Sequence, residues 1–126
     1  MNRIFVGLLA LLLLTACQSG ASPAERAVQG FLQALADKNE AEVVSLICPD
    51  YETDALLELD SLALVRTSLK AVSCKQVGAD DKGAQVVCQG SIEASYNGET
   101  RTFDLALRTY TVVNSGGDWL VCGYKK

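Results

Sequence analysis

The stretch that decides the fold is Ser91–Leu105, SIEASYNGETRTFDL. Asn97-Gly98 supplies two residues that tolerate positive φ, as a two-residue type I′ hairpin turn requires. Such a turn pairs Tyr96 with Glu99. The ladder then sets Ile92 opposite Phe103, Gly90 opposite Leu105, Cys88 opposite Leu107 and Val86 opposite Thr109. In this register one face gathers Val86, Cys88, Ile92, Phe103, Leu105 and Leu107. The other gathers Gln89, Ser91, Glu93, Thr102, Asp104 and Arg108. The turn chemistry and the apolar alternation give the same register independently, and a one-residue slip would invert every side chain.

Working outward, Asp80-Asp81-Lys82-Gly83 reads as a turn joining a strand near Lys70–Ala79 to Ala84–Tyr96. Asn114-Ser115-Gly116-Gly117-Asp118 joins Arg101–Val113 to Trp119–Tyr124. The register of that last strand is open: either Trp119 and Val121, or Leu120, Cys122 and Tyr124, face inward. N-terminal to the strands, Ser22-Pro23-Ala24-Glu25 is a helix start, with Ser22 as N-cap, Pro23 at the first helical position and Glu25 completing a capping box. Ala24, Ala27, Val28, Phe31, Leu32 and Leu35 follow on one face. Asn39 with Glu42 caps a second, shorter helix through Val43, Val44 and Ile47, which Pro49 stops. A third helix is expected over Asp54–Arg66, with Thr53 as its cap. Two or three helices on one face of a four-stranded antiparallel sheet make an α+β domain over residues 22–126.

The N-terminus belongs to something else. Ile4–Leu14 is an apolar run after Asn2 and Arg3. As a helix it reaches about 16–17 Å, against the ~30 Å of a bilayer core. That length suits the h-region of a secretory signal. Leu14-Thr15-Ala16-Cys17 resembles the lipobox of bacterial lipoproteins. The resemblance implies cleavage after residue 16, a diacylglycerol on the Cys17 sulfur and an acyl group such as palmitate on the new amine. Residues 17–21 then form a lipidated cysteine and a short tether, and the membrane is a partner through that anchor. Gln18 after the cysteine is, by the same family's rule, compatible with export to an outer membrane or cell surface. The mature chain would carry a net charge of −5, one less than the −4 of the whole, because Arg3 is lost with the signal. The charges are scattered and no basic patch is visible, which argues against a nucleic-acid partner.

Setting Cys17 apart leaves Cys48, Cys74, Cys88 and Cys122. An even number in an exported domain points to two disulfides. Their separations of 26, 14 and 34 residues lack the close pairs of a zinc site, so no metal is expected. In a simple meander, a turn near residue 81 puts Cys74 opposite Cys88. Cys48 ends the second helix and Cys122 lies on the last strand. Cys48–Cys122 with Cys74–Cys88 is therefore favoured over the two other connectivities.

The helical segment SPAERAVQGFLQALADKNEAEVVSLICP, followed by long strands and a final GGDWLVCGY, resembles the cone-shaped α+β superfamily of nuclear transport factor and ketosteroid isomerase, and in particular its small bacterial lipoprotein members. The resemblance spans about residues 22–124. It implies a curved sheet wrapped around helices, with a pocket between them that binds a small molecule or is filled.

The search for chemistry is mostly negative. The chain has no histidine, which removes histidine-based nucleophile pairs, general bases and metal sites. Gly78–Gly83 has the glycine spacing of a phosphate loop, but Ala84 stands where its lysine belongs. Asp50, Glu52 and Asp54 imitate the start of a calcium loop, but Ala55 and Ser61 occupy its glycine and glutamate places. An isomerase- or dehydratase-like enzyme would have to use Asp54, Asp60 or Asp104 with Tyr51, Tyr96, Tyr110 or Tyr124, as the resemblance to ketosteroid isomerase implies. No spacing selects a set. The expectation is a non-catalytic, lipid-anchored envelope protein without a cofactor, whose domain binds a small molecule or a protein. The pocket enzyme and a purely structural envelope role are the alternatives.

Overall fold

The computed structural model describes residues 20–126. Cys17, the signal expected over residues 1–16 and most of the tether lie outside the described residues. Three helices precede five strands: α1 Pro23–Ala36, α2 Glu40–Ser45, a 3₁₀ turn at Pro49–Tyr51 and α3 Glu52–Ser61. The strands are β1 Arg66–Asp80, β2 Gly83–Tyr96, β3 Glu99–Asp104, β4 Thr109–Ser115 and β5 Asp118–Lys125. All pairings between strands are antiparallel, in the order β1-β2-β4-β5, with β3 continuing the line of β4 along β2. No described helix is long and apolar enough to cross a membrane.

Ser22 caps α1 as its sequence demands. The Glu25 amide donates to Ser22 Oγ at 3.2 Å, and the Ser22 amide donates to Glu25 Oε1 at 2.9 Å. The second Glu25 oxygen accepts from the Gln76 amide in β1 at 2.7 Å, so the cap also pins the helix to the sheet. Those amide donors, Gln76 first and Ser22 next, hold the Glu25 carboxyl below its usual range. Asn39 Oδ1 accepts from the Glu42 amide and caps α2. The third helix differs from expectation. It starts at Glu52 straight out of the 3₁₀ turn, Tyr51 offers no side-chain cap, and it ends at Ser61. Residues 66–69, assigned above to helix or connection, open β1 instead, because their partners Ser95 to Ile92 continue the β2 ladder.

The hairpin register holds from Tyr96↔Glu99 to Ser91↔Asp104, including Ile92↔Phe103. It then breaks. The expected single strand over 101–113 is interrupted by a 3₁₀ turn at Leu105–Leu107, so the sheet has five strands rather than four. The cause is Asp104, whose Oδ1 accepts from the Ala106 amide at 2.9 Å and turns the backbone locally. The ladder resumes one residue out of step, with Val86 opposite Tyr110 and Val87 opposite Thr109, not Val86 opposite Thr109. Leu105 stays buried while Leu107, expected on the apolar face, is 67% exposed. The slip carries Tyr110 into the core.

Curvature has a second source. Opposite the irregularity between Lys70 and Ser73, Ala71 and Gly90 both take positive φ. A Cβ on Gly90 would sit 2.5 Å from the Lys70 carbonyl oxygen, so the close approach of β1 to β2 requires glycine. The open last register resolves into a mixture. Val121 is buried opposite Val112, and a shift between Tyr110 and Val112 then sets Tyr124 against Tyr110.

Candidate functional site

The concave side of the sheet is filled. Phe31, Leu32 and Leu35 of α1 meet Val86 and Ile92 of β2, Tyr110 and Val112 of β4 and Val121 of β5, each 2% exposed or less. Tyr110 is the largest of the fully buried side chains. The Phe31 ring lies 5.9 Å from Tyr51 and 6.3 Å from Tyr110, and Tyr110 lies 5.4 Å from Tyr124. These aromatics occupy the middle of the cone, where a ligand pocket was the alternative.

At the edge of this aromatic row stands Arg108. Its Nη1 donates to Glu58 Oε1 at 2.7 Å and to Tyr110 Oη at 3.1 Å. Its guanidinium lies 4.4 Å over the Tyr124 ring. The two charged side chains are only 12% and 16% exposed, so the pair is shielded and each charge depends on the other. Burial pushes the Tyr110 phenol up to about 12, partly offset by Arg108. Burial, reinforced by Glu58, raises the Tyr51 phenol further still. Burial opposes the charge on Arg108, but Tyr110 and Glu58 outweigh it and raise its pKa.

Beyond Arg108 a groove opens between the C-terminal half of α3 and the strands β2 and β3. Its inner part, about 340 Å³, runs from Arg108 and Glu58 past Leu57 to Phe103. Its outer part, about 550 Å³, continues past Phe103 and Ala94 to Val65 and Tyr96. Ser61, Leu62 and Phe103 border both parts, so they form one channel. Leu57 is 62% and Phe103 41% exposed. The groove is therefore mostly apolar and open, with Glu99 and Arg101 along its outer part and the Arg108–Glu58 ion pair at its inner end. A more polar cleft of about 520 Å³, which shares Glu58 and Tyr124 with the inner end of the groove, lies between Asp50, Asp54 and the end of β5.

The residues singled out from sequence are scattered by the fold. Tyr51, Tyr110 and Tyr124 come together, while Tyr96 lies at the far mouth of the groove. Asp104 is spent on the Ala106 amide, Asp60 is exposed and Asp54 borders the polar cleft. Glu58 also stands beside the tyrosines, and Arg108 engages it, while Asp50 and Asp54 share the polar cleft with Tyr51 and Tyr124. Neither Glu58 nor Arg108 was singled out. Arg108 read as a residue of the polar face because the register break was not visible, and Glu58 reads as an ordinary charge on an amphipathic helix. Cys48 and Cys122 stand at disulfide distance with Cα atoms 4.8 Å apart, linking the end of the α2 segment to β5, and Cys74 and Cys88 stand at disulfide distance across β1 and β2. Among the described residues no three His, Cys, Asp or Glu side chains are placed to hold a metal ion.

Two comparisons bear on this arrangement. Residues 1–18 match the prokaryotic membrane lipoprotein lipid attachment site. The fold is similar to that of a candidate ketosteroid isomerase from Shewanella frigidimarina, with a TM-score of 0.56 and 16% identity over 82% of this chain and 93% of that one. At that identity the likeness concerns the fold. No curated protein sequence matches the chain. The chain thus carries a lipoprotein attachment site followed by an α+β domain with a ketosteroid isomerase-like fold.

Proposed function

We propose that this lipid-anchored protein is a non-catalytic binding module of the cell envelope, and that the groove between α3 and β3 is where it binds. The observation that carries the reading is the pairing of a filled interior with an open apolar groove. Tyr110 and Phe31 occupy the space a pocket enzyme would leave for substrate, while Leu57 and Phe103 expose apolar surface outside it. Exposed apolar surface bordered by polar groups is the usual mark of an interaction site. The Asp/Tyr enzyme is less well supported, because Asp104 is a backbone cap, buried Tyr110 bonds an ion pair, and Asp54, which shares the polar cleft with Tyr51 and Tyr124, is exposed to solvent. A purely structural role leaves the groove unexplained.

The anchor fits this use. α1 starts next to the tether and runs about 21 Å, at ~1.5 Å per residue, to the end where Lys38 donates to the Val65 carbonyl at the groove mouth. The groove is thus presented at the end of the domain far from the tether, in an outer membrane or at a cell surface according to the envelope. The test is site-specific photo-crosslinking in intact envelopes, with a benzophenone residue at Leu57 and a control at Val77 on β1. A discrete adduct from position 57 alone is expected. No adduct, or the same adducts from both positions, would contradict the reading.

A further inference from the structure

The start of α1 and one end of the sheet lie together. The Gln76 amide of β1 donates to Glu25 in the first turn of α1 at 2.7 Å. Arg26 Nη1 donates to the Ala21 carbonyl at 2.6 Å, which ties the end of the tether to the helix. From this level the strands run on. Gln76 pairs with Val86, and the β1–β2 ladder ends at Asp80↔Gly83, three residues further along β2. Ala84 pairs with Val112 and Asn114 with Trp119, which sets Trp119 four residues past the same level. At ~3.3 Å per residue, the hairpin turns Asp80–Gly83 and Ser115–Asp118 therefore extend about 10–13 Å beyond the start of α1. Trp119 stands at this end, with Ala79 and Val113, around a depression of about 330 Å³.

The tether leaves little room between this end and a lipid surface. The attachment site covers residues 1–18. From Cys17, the expected point of attachment, to Ala21 the chain spans at most about 14 Å at ~3.5 Å per residue. A bilayer surface must pass within that reach of Ala21, and the hairpin turns fill most of it. The flank of α1 is a poor alternative, because its outward residues Arg26, Gln29 and Gln33 are polar. The end of the sheet offers Trp119, the single tryptophan of the chain, half-buried. Among the described residues its indole nitrogen has no hydrogen-bond partner, and it is not sealed from solvent. An apolar ring with a free N–H donor suits the headgroup level of a bilayer, where one side is apolar and the other wet. The two turns hold Asp80, Asp81 and Asp118 against Lys82 alone, so the layer they fit is zwitterionic rather than anionic.

From these observations we infer that the two hairpin turns are the membrane-resting end of the domain, with the Trp119 indole seated among the headgroups of zwitterionic phospholipid. The indole N–H donates to phosphate or ester oxygens, and the ring lies against the upper part of the acyl chains. The tether holds this end down, and the groove at the other end of α1 faces away. The inference rests on the lipid anchor and does not depend on what the groove binds.

Trp119 is its own probe. The protein is purified from membranes with its anchor and reconstituted in phosphatidylcholine vesicles. The lipid chains are brominated either near the headgroup or near the terminal methyl, and flotation of the vesicles reports anchoring separately. Bromine near the headgroup is expected to quench Trp119 at least about twofold, and bromine near the chain ends to quench it less. The double variant Trp119→Phe/Leu64→Trp moves the reporter to a position that is 86% exposed and lies beside Lys38 and Val65 at the other end of α1. It should float equally and be quenched little. Protein that floats while Trp119 is quenched no more than the relocated tryptophan would overturn the inference and leave the anchor standing. Stronger quenching by the deep bromines would also overturn it. So would a Cys17→Ser protein whose Trp119 emission shifts with protein concentration in the absence of lipid, since this end would then meet a second copy. Failure to float would remove the anchor and the inference together.

Discussion

Arg108 and Glu58 meet across fifty residues of chain, Nη1 to Oε1 at 2.7 Å, and this contact joins the end of the Leu105–Leu107 turn, just before β4, to α3. It forms the inner end of the groove and fixes the helix that makes one of its walls. Removing one partner leaves the other shielded charge unpaired. Arg108→Met should therefore destabilise the domain by about 2–3 kcal/mol, and Arg108→Lys by less, since lysine keeps the charge but loses the planar guanidinium that lies over Tyr124 while its Nη1 reaches Glu58 and Tyr110. Urea midpoints of the three proteins check this, and a neutral Arg108→Met would refute it.

The disulfides offer a second test. The residues of the Cys48–Cys122 pair are 74 apart, those of Cys74–Cys88 only 14. On chain entropy the long link stabilises by about 4–5 kcal/mol and the short one by about 3. Cys48→Ala/Cys122→Ala should lower stability more than Cys74→Ala/Cys88→Ala in the same denaturant titration.

Stability should also fall in alkali. The Tyr110 phenol is raised from its ordinary value near 10 to about 12 by burial, so the folded state holds its proton where the unfolded state has released it. Stability is then intact below pH ~10 and drops as pH rises toward 12, by about 2–3 kcal/mol at ~1.4 kcal/mol per unit. Tyr51 acts in the same direction. Glu25 works at the other limb. Its lowered carboxyl contributes above the ordinary carboxylate range, and the contribution is lost on acidification. Denaturant midpoints across pH should show a steep alkaline fall that Tyr110→Phe reduces.

Gly90 tests the origin of the curvature. Gly90→Ala forces a Cβ against the Lys70 and Ala71 carbonyls at positive φ, and should cost about 2–4 kcal/mol. Gly98→Ala, with open space around it, carries only the strain of its φ of +78° and should cost less, about 1 kcal/mol.

Much of this fold was legible in the chain. The Asn97-Gly98 turn fixes Tyr96↔Glu99 and Ile92↔Phe103, because turn type and alternation act within a few residues. Ser22 and Glu25 announce α1 for the same reason. The break at Leu105–Leu107 was not legible, since Leu-Ala-Leu alternates like a strand, and the Asp104 side chain that turns the backbone also reads as an outward polar residue. From that break follow the burial of Tyr110, the exposure of Leu107 and the meeting of Arg108 with Glu58. The groove was illegible too, because it is made of α3 and β3, distant in sequence and joined by no local signal.

The lipid attachment site over residues 1–18 governs where all of this operates, and we propose Cys17 as the residue that carries the anchor. Intact-mass measurement of the protein extracted from membranes, with and without reductant, tests it most directly. The expected species begins at Cys17, bears a diacylglycerol and an acyl chain, and gains the hydrogens of two disulfides on reduction. Cys17→Ser should leave the membrane fraction. An unacylated mass, or a Cys17→Ser protein that stays fully membrane-bound, would contradict the anchor and with it the presentation of the groove to the envelope.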